Sequence, residues 1–282
     1  MERQKRVAAI HDVSGFGKCA LTVALPVISA AGIETSVIPT AVLSTHTGGF
    51  KGYTCLDLTD EMAKISKHWK ELDLKFDAVY SGYLASVQQI DIVADFIDNF
   101  RNGECFAVVD PAMADNGKMY ALLDLEFAKE MKRLCEKSDI MVPNITEACL
   151  MLGEEYHAGP YTKEYIDRIL RKLAILNGGK VVLTGVRFEE ETIGAACFDY
   201  ETKMPYYYFR NKVEGMYHGT GDVFASALTA ALIKGRDLCD ATRIAVDFTV
   251  DSIERTSFQG DDHRYGVNFE GGLCDLLKMI EE

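Results

Sequence analysis

Val7-Ala8-Ala9-Ile10 runs through His11 into the loop Asp12-Val13-Ser14-Gly15-Phe16-Gly17, and the apolar stretch from Cys19 to Ala31 then stops at Gly32. A short apolar run, a glycine-bearing turn and a longer apolar segment closed by glycine read as strand, loop and helix. The same order recurs downstream. Glu34 to Thr40 alternates toward a second strand, followed by the Thr- and Gly-rich stretch Ser44-Thr45-His46-Thr47-Gly48-Gly49. Asp57 stands where it would cap a helix through about Leu72, and Asp77 to Tyr80 reads as a strand that delivers Ser81-Gly82-Tyr83 to a loop. Ser86 and Gln89 have capping-box spacing before a helix from Ile90 to Phe100, and Cys105 to Val109 is a buried-strand pattern ending at Asp110.

Leu125 to Glu136, Asn144 to Leu152 and Lys163 to Leu176 read as helices, with strands at Ile140 to Val142 and Lys180 to Leu183. Thr192 to Tyr200 and Pro205 to Arg210 suggest an antiparallel hairpin at a sheet edge. Val223 to Ile233, Ala241 to Ile253 and Gly271 to Glu282 supply the closing helices. Strands joined by crossover helices predict an α/β fold with a mostly parallel sheet and ligands across the carboxyl ends of its strands. No low-complexity linker or fixed-period repeat breaks residues 1–282, so a single domain is expected.

Composition narrows the function. Lys and Arg number 30 against 43 Asp and Glu, a formal charge of −13, which opposes the cationic field that nucleic-acid and anionic-membrane binders use. An anionic ligand would need a local site. The eight cysteines are scattered singly with no CxxC pair, which suggests neither a disulfide framework nor a zinc cluster. The N-terminal apolar run is too short for a secretory signal and no stretch approaches eighteen consecutive apolar residues, so a cytoplasmic protein without a membrane span is expected.

Ser14-Gly15-Phe16-Gly17-Lys18 is not a nucleotide P-loop, because Asp12 and Cys19 stand where that motif needs Gly and Ser or Thr. Nor does it complete GxGxxG. Gly219-Thr220-Gly221-Asp222 ahead of a predicted helix is a stronger candidate. Small residues let backbone N–H groups approach an anion at a helix N-terminus, and the aspartate can accept a proton. Together they suit phosphorylation of an alcohol, with the amides stabilising the transferred phosphoryl group and Asp222 orienting and deprotonating the hydroxyl. The competing reading makes Asp222 a first-turn cap and the glycines turn-formers. Asp110 and Glu147 lie at strand ends and would suit a hydrated magnesium-phosphate better than a closed metal cage, or serve as ordinary strand-end and helix-start residues. His46 reads equally as a residue that hydrogen-bonds a turn, and Lys18 as a solvated first-turn charge.

In order along the chain, Asp12 to Lys18, Ser44 to Gly48, Asp110 to Asp115, Pro143-Asn144 with Glu147, and His218 to Asp222 resemble the motifs of the ribokinase-like superfamily, and specifically of its vitamin B6 kinases, over roughly residues 6 to 255. The resemblance implies a three-layer αβα sandwich and ATP-dependent phosphorylation of the 5′-hydroxymethyl group of pyridoxal, pyridoxine or pyridoxamine. Asp222 would be the general base, with Gly219 and Gly221 forming the anion hole. It places Asn144, Thr184 and Thr220 near the nucleotide phosphates, and makes Asp110, Asp115 and Glu147 contributors to Mg2+ or its water shell, with a monovalent cation alongside. Asp12, Thr47 and Tyr83 fall on the substrate side, although this chain has His11-Asp12 where many of the family have Ser-His. A homodimer is implied. Hydroxymethylpyrimidine kinase, or a dual-specificity enzyme, is the related alternative; a catalytically silent vitamin B6 or nucleotide-binding protein is the alternative outside enzymes.

Overall fold

The alternation of strand and helix takes shape, in a computed structural model describing residues 3–260 and 263–282, as an α/β fold with a large, mostly parallel central sheet and flanking helices. Two compact units make it up: Met1–Tyr80 with Val213–Glu282, and Ser81–Lys212.

In the first unit, β1 (Arg6–Ser14) pairs in parallel with β2 (Glu34–Leu43) across the crossover helix α1 (Leu21–Ala30), from Arg6 opposite Glu34 to Ser14 opposite Leu43. Val7, Ala8, Ala9 and Ile10 are buried on both faces, which is why the run is continuous rather than alternating. A short strand, β3 (Cys55–Asp57), adds antiparallel to β2, then α2 (Thr59–Glu71) leads to β4 (Ala78–Ser81). The strand order here is β4-β1-β2-β3. All three β3 residues are exposed, so no burial pattern announced the strand. Asp57 is not the cap residue of α2, because it ends β3; Leu58 takes that position, and the Asp57 carboxylate instead accepts the Thr59 N–H at 2.8 Å.

The second unit runs through α3 (Val87–Phe100), β5 (Phe106–Val109), a small antiparallel ribbon of β6 (Ala114–Asp115) and β7 (Lys118–Met119), α4 (Leu125–Glu136), β8 (Ile140–Met141), α5 (Ile145–Leu152), α6 (Lys163–Asn177), β9 (Lys180–Val186), β10 (Thr192–Asp199) and β11 (Pro205–Asn211). Strands β5, β8 and β9 are parallel; β10 and β11 form the hairpin, antiparallel to β9 and to each other. Ser86 caps α3 by accepting the Gln89 N–H at 3.2 Å, but the Gln89 side chain bonds the Ala85 N–H, so the box is displaced by one residue.

The chain then returns to the first unit with α7 (Thr220–Ile233), α8 (Leu238–Ser257) and α9 (Leu273–Glu281). Helix α7 is buried on nearly all sides and packs on α1 and α8. Helix α8 is longer than its apolar pattern because its buried polar residues satisfy themselves. Thr242, Thr249, Ser252 and Thr256 each donate to the carbonyl four residues back at 2.7 Å. All eight cysteines are free thiols: Cys105, Cys135, Cys149 and Cys197 are buried, Cys19 and Cys239 half-buried, and Cys55 and Cys274 exposed. Among the described residues no helix is long and apolar enough to cross a membrane.

Phe248 is 1% exposed within α8. Truncating it to Ala should remove about 3–5 kcal/mol of unfolding free energy, read from the shift in urea midpoint at unchanged slope.

Candidate active site

The turn before α7 is shaped by one close approach. Gly219 has φ 73°, and a Cβ there would lie 2.0 Å from the Lys18 carbonyl oxygen and 3.3 Å from Cys19 Sγ, so only glycine fits. Thr220, Gly221 and Asp222 follow as the first turn of α7, with their amides at the helix N-terminus. Burial pushes the Asp222 carboxyl up to about 6, while the Ala20 N–H donates to it and pulls the other way. Ala20 sits at φ 54°, ψ −127°, a backbone conformation costing about 1–3 kcal/mol outside glycine. Its carbonyl accepts the Val23 and Ala24 N–H groups at 3.0 and 2.9 Å, so one strained residue both starts α1 and reaches Asp222.

Asp12, at the end of β1, is 6% exposed and accepts the Ser14 hydroxyl at 3.3 Å. Its carboxyl rises to about 7, first through burial and then through the Asp222 charge, against the lowering pull of Ser14. Cys19 lies near both carboxylates, and burial with their charges pushes its thiol well up. His11 is fully buried, edge-on to Tyr80 at 4.4 Å, and burial drops its pKa to about 3, so the ionisable charge at this strand end belongs to Asp12. Thr47 is exposed on the second loop, beside the buried His46. Lys18 is a partly exposed charge that pairs with the exposed Glu270 at 2.8 Å.

In the second unit, Glu147 organises the other candidates. It is 2% exposed; one carboxylate oxygen accepts the Met113 and Ala114 N–H groups at 3.0 and 3.4 Å, the other the Asn144 N–H at 2.8 Å. Burial raises it to about 7, opposed by these amides, with the Asp115 charge a further raising influence. Asn144 completes the capping box of α5 by accepting the Glu147 N–H at 3.0 Å, and donates to the Ala114 carbonyl at 2.7 Å. Thr184 on β9 bridges to Asn144, its N–H donating to the Pro143 carbonyl at 2.9 Å. Asp110 accepts the Ala112 N–H at 3.2 Å, and the exposed Asp115 binds the Asn116 amide and side chain. Tyr83 is half-buried, its ring 6.4 Å from that of Tyr120.

Asp12, Asp222 and the Gly219 turn are thus brought together in one unit, and Asp110, Asp115, Asn144, Glu147 and Thr184 in the other. Sequence reasoning carried Ser14 in the first loop without pairing its hydroxyl with Asp12, and missed the Ala20 N–H and the Lys18 carbonyl. A backbone donor or acceptor leaves no residue-type signal, whereas the paired glycines at 15 and 17 did flag the turn that holds them.

The family model for phosphomethylpyrimidine kinase matches residues 23–267. A Bacteroides thetaiotaomicron protein provisionally assigned as a phosphomethylpyrimidine kinase, crystallised with pyridoxal, superposes with a TM-score of 0.93 at 38% identity, covering 97% of this chain and 96% of that one. Pyridoxal kinase from Lactobacillus plantarum does so at 0.90 and 29% identity, over 99% of each chain. The hydroxymethylpyrimidine/phosphomethylpyrimidine kinase of Bacillus subtilis is 29% identical over 231 residues, 79% of this chain and 80% of its own length.

Two consequences are measurable. With a folded pKa of about 7, Asp12 holds its proton more tightly than in the unfolded chain, so it weakens the fold as pH rises from 4 to 7. Asp12→Asn should therefore gain stability relative to wild type across that window in urea melts; a difference independent of pH would contradict the raised value. Glu147→Gln replaces one carboxylate oxygen with an NH2 that faces at least one of the three backbone donors and should destabilise by about 1–3 kcal/mol, read in the same melts.

Proposed function

The chain belongs to the phosphomethylpyrimidine kinase family, in the ribokinase-like superfamily that also holds the pyridoxal kinases, and on that footing we propose that it transfers the γ-phosphoryl group of ATP to the 5′-hydroxymethyl group of pyridoxal, pyridoxine or pyridoxamine. The observation that carries this reading is Asp222 in the first turn of α7, next to the Gly219 turn, with its carboxyl raised to about 6. A carboxylate of that basicity accepts the alcohol proton while remaining ionised at neutral pH. As the proton moves to Asp222, the substrate oxygen bonds to the γ-phosphorus, the bond from that phosphorus to the bridging oxygen breaks, and ADP departs. The Gly219 and Gly221 backbone forms the anion hole, and Thr220 contributes on the phosphate side of the same turn.

On the substrate side, Asp12 is a hydrogen-bonding group for the ring, carrying a proton below about 7. Thr47 and Tyr83 complete this set, Tyr83 with aromatic area and a phenolic hydroxyl. Asn144 and Thr184 serve the nucleotide phosphates. The Asn144 carboxamide is engaged in capping, so its part is to set the N-terminal turn of α5.

Magnesium fits the acidic residues as a hydrated ion rather than a caged one. Glu147 binds three backbone N–H groups and Asp115 is occupied by Asn116, so with Asp110 these carboxylates would hold a magnesium ion through its water rather than cage it. When bound with ATP, Mg2+ neutralises phosphate charge. A monovalent cation, a homodimer and residues 1–282 acting as one kinase domain belong to the same reading and are supported by the family resemblance. A reducing, cytoplasmic setting is supported by the free thiols.

A second reading, hydroxymethylpyrimidine kinase, is favoured by the family model and by the B. subtilis relative. Purified protein with ATP and magnesium, assayed on pyridoxal, pyridoxine, pyridoxamine and hydroxymethylpyrimidine, separates the two: turnover on the last compound alone overturns the primary reading, and binding without product marks a silent protein. Asp222→Asn should lower kcat by about 10²–10⁴-fold with ATP binding retained. Because Asp222 must be ionised to act, kcat/KM should rise with pH through about 6.

A further inference from the structure

We propose that His46 is a positioning residue that pins the second substrate loop to the segment around Arg264 and so fixes Thr47 where it meets the vitamer. This rests on the reading of Thr47 as a substrate residue. Nε2 of His46 lies 2.6 Å from the Arg264 carbonyl oxygen. A carbonyl only accepts, so Nε2 carries the hydrogen. Nδ1 is 3.1 Å from the Gly48 nitrogen, whose N–H needs an acceptor, so Nδ1 carries the lone pair. The two contacts select one neutral tautomer and use both ring nitrogens.

The main chain adds a third tie. The His46 N–H donates to the Phe16 carbonyl at 3.2 Å, and the Lys18 N–H to the Tyr265 carbonyl at 2.9 Å. Residues 15–18, 44–50 and 263–266 are therefore joined, with His46 bonded to all three. Two glycines make room for this. A Cβ at Gly17 would lie 2.2 Å from the His46 ring, and one at Gly48 would lie 2.6 Å from the His218 ring. Phe50 meets the His46 ring edge-on at 4.9 Å and stacks with Tyr265 at 6.0 Å, while Phe16 packs on Tyr265 at 5.3 Å. The Arg264 guanidinium lies 5.7 Å over Phe50. These are loop-to-loop contacts, and His46 is buried at 5% exposure within them while its neighbour Thr47 is exposed. Burial, and secondarily the neighbouring His218, hold the imidazole pKa down against the raising pull of the Arg264 carbonyl, which keeps the pin in its neutral form.

His46→Ala removes both hydrogen bonds, whereas His46→Gln keeps an amide donor long enough to reach the Arg264 carbonyl. In steady-state assays the Ala variant should raise KM for pyridoxine about tenfold or more, with KM for ATP and kcat each within about threefold of wild type, and Gln should recover most of the loss. Amide hydrogen exchange of residues 44–50 and 263–266 should quicken together in the Ala variant and stay near wild type in the Gln variant. Unchanged exchange in His46→Ala overturns the pin, as does a Gln variant as impaired as Ala, or a parallel loss in both KM values and kcat. If wild type turns over hydroxymethylpyrimidine but not pyridoxine, the functional reading fails, and the exchange experiment still decides the pin.

Discussion

Two turns of the first unit approach so closely that no side chain fits between them: the backbone at Gly219 lies against the Lys18 carbonyl. Much of the site depends on this approach. It brings the Ala20 N–H to Asp222, sets Cys19 behind the glycine turn, and leaves the Lys18 N–H to bond residue 265. The strain at Ala20 is sustained because its carbonyl accepts two N–H groups of α1 while its N–H serves the carboxylate. A carboxylate held from its own helix alone would point wherever its rotamer allowed. Here two helix starts, those of α1 and α7, constrain one carboxylate.

Much of the fold was legible because burial imposes a period on the sequence. The first strand, the helix ends at Ala30 and Glu136, and the β10-β11 hairpin follow their patterns to within a few residues. What was illegible had no burial to report: β3 is wholly exposed, and the two-residue strands β6 and β7 are shorter than any period. Helix α8 was under-read because its Ser and Thr residues resemble a polar interruption, yet each donates to the carbonyl one turn back. At the site, side-chain candidates were visible and backbone partners were not. Asp222 could be named from the glycines around it, but the donor that steadies it belongs to an alanine. Glu147 was read as a magnesium residue from its place in a motif; its three amide contacts show that it also holds together the 113–114 turn and the start of α5.

The net charge of −13 is less hostile to an anionic nucleotide than the count implies. Asp12, Asp222 and Glu147 all have raised pKa values, between about 6 and about 7, so near neutrality they carry less negative charge than three exposed carboxylates would. Exposed pairs such as Lys64 with Glu61 and Lys278 with Asp275 cancel their own charge, and exposed charge left over is screened by salt. Amides at helix starts act at short range, where this distant charge matters least.

The cysteines divide along the same line as the fold. The four in residues 81–212 are all buried, whereas both exposed ones, Cys55 and Cys274, belong to the first unit. An alkylating reagent therefore meets only first-unit thiols in the native protein, and reaches those of the second unit when that unit opens. The chain thus carries its own chemical clock for opening of the second unit, whose four sulfurs stay shielded until it opens, without a label having to be engineered.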